Sequence, residues 1–187
     1  MPKAPFPVLV LQPGRRSDGS ADLSAQFAIA KAYADTARIA GGVGERTNFI
    51  AMAFPAFICS SFSLELFLKL FVYRSRAAQG PSGKPVWGHM IRDLWQEVTS
   101  EDKETIAGFY RNETSEPWLV GASIRVEIFE KALEDLGAKP FVEWRYIHEL
   151  EEGPTVLRHG PLVDVLDAVG RAAAYVLNRD ALNTNKE

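Results

Sequence analysis

The sequence predicts an all-α fold, an up-and-down helical bundle of about six helices. Three observations predict it. Apolar residues recur at helical spacing in the long segments. Glycine- and proline-containing breaks separate those segments. No strand-rich region, low-complexity tract or repeat with a period of about 20–50 residues interrupts the pattern. At 187 residues, 47% of them hydrophobic, the chain suits one domain with a real core. The expected organisation is an extended N-terminal arm over 1–20, a single bundle domain over 21–180 and a frayed tail over 181–187.

The stretch Ser61 to Ser75 organises the rest. It is apolar on almost every side, the mark of a helix in the middle of a protein. Its few polar residues fall on one line: Ser61, Glu65, Lys69, then Tyr73 and Arg76. Glu65 and Lys69 are one turn apart on the same face, in the favourable order. A membrane span needs about 20 predominantly apolar residues, and in such a span Glu65 and Lys69 would sit near mid-membrane at high cost. A buried core helix fits better, with the two charges paired or reaching the edge of the core. No membrane association is expected.

The remaining elements follow in order. Pro2, Pro5, Pro7 and Pro13 make the first segment extended, with Val8 to Leu11 able to pair or pack as a short strand. Asp22 or Ser20 can cap a first helix that runs to about Ala40 and stops at Gly41-Gly42. Its stripe is Leu23, Phe27, Ala30, Ala34 and Ala37. After a turn over Gly44 to Asn48, the central helix spans about Phe49 to Arg76, and Pro55 implies a kink or a later start. Ala77 to Pro85 reads as a loop. Arg74, Arg76, Lys84 and Arg92 flank it and can form a basic patch, although the acidic net balance favours a solvated charged rim. A short helix begins near His89, and another begins at Ser100 with Glu101 and Asp102 at its positive end. Ser123 can cap a helix to Leu136 with Ile124, Ile128, Ala132 or Leu133, and Leu136 as its buried stripe. Gly137 and Pro140 stop it. Phe141 to Leu150 fits either an extended or a helical segment. Pro161 sits in the first turn of a last helix to about Asn178. Its core face is Leu162, Val165, Leu166, Val169, Ala173, Val176 and Leu177.

Composition narrows the function classes. The formal charge is −3, from 21 basic and 24 acidic residues, which is not the footprint of a dedicated nucleic-acid binder. The single cysteine, Cys59, permits no disulfide within the chain and fits a reducing cytoplasm. The apolar run near the N-terminus is too short for a signal peptide, so a cytoplasmic location is expected. His89, His148 and His159 have no short spacing that would make a metal cluster. Gly41-Gly42-Val43-Gly44 lacks the Lys-Ser/Thr of a phosphate loop, and no Gly-x-Ser-x-Gly elbow is present. No metal or cofactor is expected.

Two segments carry a family resemblance: Leu64-Glu65-Leu66-Phe67-Leu68-Lys69-Leu70, and after a loop Gly88-His89-Met90-Ile91-Arg92-Asp93-Leu94. Together they resemble the HEPN-like superfamily of small helical bundles. Arg145-Tyr146 before Glu149 adds to it, and the resemblance covers roughly residues 21 to 178. It implies an up-and-down bundle that often forms homodimers. It also implies a role associated with RNA or a nucleotide, commonly in toxin–antitoxin, defence or mobile-element systems. Nuclease members of the superfamily carry an Arg, four to six residues, then a His. Here Arg145 is three before His148, Arg158 is adjacent to His159, and only Lys84 stands at a suitable distance before His89. No catalytic residue therefore carries over, and the chain is at most a non-standard ribonuclease. The alternative is a non-catalytic module that dimerises or docks a protein partner.

The candidate pocket or ligand-binding residues are Glu65, Lys69, His89, Arg145, Tyr146 and His148. His89 can donate to a phosphate, or simply cap its helix and bond Glu65. Glu65 and Lys69 can act as an acid–base pair, or form a polar core that fixes helix register. Arg145 and His148 can hold a phosphate and move a proton, or be a surface arginine beside a partly buried histidine. Tyr146 can stack a base or belong to the core.

Overall fold

The computed structural model describes residues 21–47, 50–78, 86–110, 121–137, 140 and 159–184. They form six helices: α1 (Leu23–Thr47), α2 (Ala53–Ala78), α3 (Ile91–Glu97), α4 (Ser100–Phe109), α5 (Ala122–Asp135) and α6 (His159–Thr184). There is no strand among the described residues, and the all-α bundle of the sequence reading is the fold.

Helix α2 is the central rod. No residue from Ala56 to Arg76 is exposed, and Leu64, Leu68, Leu70, Phe71 and Val72 are completely buried. This is the helix whose length and composition would suit a membrane span, yet 67% of its most apolar window is buried inside the protein. Its apolar surface meets other helices rather than lipid. The sequence left Pro55 as a kink or a later start, and the later start holds. A 3₁₀ turn over Ile50–Met52 precedes α2, and Pro55 lies in the first turn, where its missing N–H needs no partner.

Helix α1 runs antiparallel to α2, as three contacts in opposite order show. Gln26 Nε2 donates to the Leu66 carbonyl at 3.2 Å, Ser63 Oγ donates to the Ala30 carbonyl at 2.7 Å, and the Tyr33 ring meets Phe62 edge-on at 4.6 Å. Ala30, Ala37 and Ala40 are buried, so small side chains let the two backbones approach. Asp22 is the cap, with Oδ1 accepting from the Ser24 and Ala25 amides at 3.0 and 3.1 Å. Contrary to the expected stop at Gly41-Gly42, the helix continues to Thr47.

Helix α6 runs parallel to α2. Gly170 sits over Phe67, and Arg74 reaches Asp180. The predicted core face of α6 is right: Leu162, Val165, Leu166, Val169, Ala173 and Val176 are buried, with Leu177 packed partly against them. The helix extends to Thr184, beyond the expected end. Helix α4 lies antiparallel on α6, through Glu101 with Arg179 and Phe109 with Tyr175. Its cap is Thr99, whose side chain accepts from the Asp102 amide.

Helix α5 begins one residue before Ser123, which is therefore inside the helix and not its cap. Its buried stripe is Phe129, Ala132 and Leu133. Ile124 is 52% exposed, and Ile128 is only half-buried. The helix is rotated from the expected phase because Phe129 is gripped by Trp95 at 5.0 Å and Tyr110 at 5.3 Å. Gly137, at φ +89°, ends the helix as expected.

Arg74 is not part of a solvated rim, whereas Arg76, in an exposed pair with Glu97, and the exposed Arg92 fit one, and Lys84 lies outside the described residues. Arg74 is 20% exposed and joins three helices. Its Nη1 donates to both oxygens of the fully buried Asp102 at 2.7 Å, and Nε and Nη2 donate to Asp180 at 2.8 and 3.2 Å. The bonds to Asp180, with the charge of Asp102, hold the guanidinium even more firmly protonated than usual. Arg76 donates to Glu97 at 2.6 Å.

Candidate functional site

The polar line on α2 is where the segment Val86 to Glu97 docks. Tyr73 Oη accepts from the Val86 amide at 3.0 Å, Glu65 takes His89 and Arg76 takes Glu97. A buried helix with one polar line must pair that line or leave its groups unsatisfied. Here the chain satisfies Glu65, Tyr73 and Arg76 by folding one segment along the line. Ser61, at the start of the line, is fully buried, and its hydroxyl has no hydrogen-bond partner among the described residues.

The centre of this seam is Glu65. Its side chain is 1% exposed, against 14% for Lys69 and 50% for His89. Lys69 Nζ donates to Oε1 at 2.8 Å. His89 Nδ1 lies 2.9 Å from Oε1 and 3.0 Å from Oε2. A carboxylate only accepts, so Nδ1 carries the proton. The polarity thus grades from a buried acid to an imidazole at the surface. His89 makes a further interaction besides this one.

Local backbone explains the placement. His89 lies two residues before α3 and not in it, a correction to the expected helix start; Met90 is the residue flanking the helix. Gly88 adopts φ +101°, a conformation that side chains disfavour. That turn swings His89 back onto α2. Trp87, one residue earlier, is 83% exposed. Sequence reading passed over it, although an exposed indole beside a histidine is a recognisable binding feature.

This arrangement has defined chemistry. A buried carboxylate on Nδ1 fixes the imidazole tautomer and orientation, the second-partner logic of catalytic and metal-binding histidines. An oriented imidazole can accept a proton or contact a phosphate. Of the candidate residues, the structure brings together Glu65, Lys69 and His89. Arg145, Tyr146 and His148 lie outside the described residues. Cys59 is half-buried, and burial pushes its thiol above the ordinary value, away from a reactive thiolate. No group of three or more His, Cys, Asp or Glu side chains is placed to hold a metal among the described residues.

A second feature lies elsewhere. Between α1, α2 and α6 is an open cleft of about 630 Å³, floored by Phe27, Ala37, Phe67 and Gly170 and edged by Arg38 and Arg171. None of Glu65, Lys69 and His89 lines it. Compared with known proteins, the chain matches no family model, no curated protein and no solved structure.

Proposed function

We propose that this protein is an HEPN-like helical bundle that associates with RNA or a nucleotide, in a toxin–antitoxin, defence or mobile-element setting. The observation that carries the reading is the Glu65–His89 contact. The two segments that resemble the superfamily meet at polar residues 24 positions apart. An imidazole held by a buried acid at the surface suits a phosphate or a ribose hydroxyl. The usual Arg–His nuclease spacing is missing, so binding rather than rapid cleavage is the expected activity. The test incubates the pure protein with mixed RNA and measures both retention and cleavage, against a His89→Ala variant and an Arg145→Ala, His148→Ala variant. Retention that weakens in His89→Ala supports the reading. No retention by any of the three removes it.

A second reading has its own support. Glu65 is buried and bonded to the mostly buried Lys69, which suits a structural pair in a non-catalytic module that forms a homodimer or docks a protein partner. The open cleft between α1, α2 and α6 gives such a module a surface. Light scattering at increasing concentration tests the dimer, and a monomer throughout removes it.

A further inference from the structure

Trp87 has the most exposed of the large apolar side chains among the described residues. It does not sit on a loose tether. On one side Val86 is 5% exposed, and its amide is fixed by the Tyr73 hydroxyl at 3.0 Å. On the other side Gly88 makes its φ +101° turn, and His89 is fixed to the buried Glu65. The indole is thus held outward between two anchored neighbours. A tryptophan buries about 150–250 Å² where a core receives it. This one is withheld from the core by the same contacts that fasten its flanks.

The surroundings distinguish the kinds of partner. An aromatic hot spot for a protein sits inside a ring of contacts that exclude water. Here the exposed neighbours in sequence are Gly88, His89, Arg92 and Asp93, and no other exposed large apolar side chain comes from this segment or from α3. A flat indole with an exposed guanidinium five residues on, Arg92, offers a stacking face together with a donor for phosphate oxygens. Every nucleobase has a π-face, and only an unpaired base can present it. We infer that Trp87 is a base-stacking contact for an unpaired nucleobase, with the exposed Arg92 as the cation for the phosphate beside it. This deepens the RNA-associated reading and rests on it.

The test measures binding of a fluorescein-labelled oligoadenylate of about twelve nucleotides by anisotropy. A paired RNA duplex of equal length and free AMP as competitor form the other arms. The proteins are wild type, Trp87→Ala and Trp87→Phe, all checked by circular dichroism. Exposure of the indole means that both variants fold. Trp87→Ala is expected to weaken single-strand binding roughly 5- to 150-fold, the worth of one stacked base. Trp87→Phe is expected to retain most of it, and duplex binding is expected to be unaffected. Competition by AMP at concentrations comparable to the oligonucleotide identifies a single nucleotide as sufficient. Its failure identifies the strand, and both support stacking. Wild-type binding with an unchanged Trp87→Ala overturns the inference and leaves the RNA reading standing. Equal loss on duplex and single strand overturns it too, as does a change in oligomeric state without a change in RNA binding. No binding of any RNA or of AMP by the wild type removes the underlying reading and the inference together.

Discussion

Removing Lys69 should cost the protein far more than removing Lys69 and Glu65 together. The structure supplies the reason. Glu65 is 1% exposed, and its Oε1 accepts from Lys69 at 2.8 Å and from His89 at 2.9 Å. Lys69→Met leaves that carboxylate buried with only a half-exposed imidazole beside it. Breaking a buried pair from one side costs about 3–5 kcal/mol. Because His89 remains, the lower end applies, about 3 kcal/mol. Glu65→Leu strands Lys69 instead, but a lysine 14% exposed can bend its ammonium to water, so about 2 kcal/mol is expected, part of it the lost bond to His89. The double variant leaves no orphaned charge and should lie within about 1–2 kcal/mol of wild type. Urea unfolding followed by circular dichroism gives all four corners of the cycle. For a domain of this size Lys69→Met should also lower Tm by about 6–12 °C. If the two single losses simply add, or if each is under about 1 kcal/mol, the pair is a surface feature and the buried seam is wrong.

Three further outcomes follow from other parts of the structure. Arg74→Met leaves Asp102, with no exposed surface, without its cation, and should cost about 3–5 kcal/mol by urea unfolding; Arg74→Lys should recover only part, since an ammonium cannot reproduce the fork to two carboxylates, and full recovery would refute the clamp. Gly88→Ala has open space for its methyl group, so its cost is conformational, about 1–3 kcal/mol from the positive φ; a thermal melt matching wild type would show that the turn is not needed. Burial pushes Cys59 up, and burial followed by the charges of Asp164 and Asp135 pushes Tyr110 up. The folded state then holds these protons more tightly than the unfolded chain, so their stability is complete below the ordinary values of 9.0 and 10.0 and is lost as pH rises through and above them. Urea midpoints should hold to about pH 8.5 and then fall, and a flat profile to pH 11 would contradict the burial of both groups.

What the sequence shows depends on how far away a residue's partner lies. The all-round apolarity of α2 and the core face of α6 are local patterns, and both are right. The pairing of Glu65 with Lys69 lies within one helix and follows from spacing alone. Gly41-Gly42 was misread because a glycine pair signals a stop only where the chain gains by turning away. Here Ala40 is buried, and the helix continues along the cleft between α1, α2 and α6. The expected stripe of α5 is right at Ala132, Leu133 and Leu136 and wrong at Ile124 and Ile128, because its sequence offers two phases. Rings from Trp95 and Tyr110 choose the one that buries Phe129, and nothing in α5 itself names them.

Arg74 is the most instructive miss, because the rule that located Glu65 applies to it equally. It lies in the same rod, between the buried Val72 and Ser75, where an arginine without a counter-charge would be costly. Reading it as part of a solvated rim put weight on its neighbours in sequence, Arg76 and the loop. Its partners lie 28 and 106 residues away, beyond any periodicity. The helix still required that a carboxylate come to it, and an acid in the first turn of a helix, as Asp102 is, is a strong candidate. A polar residue in a buried rod thus reveals that a partner exists, while the partner's identity is set by the packing. His89 was found because the family resemblance joined its segment to α2. Asp102 and Asp180 had no such link, and only the fold brings them to Arg74.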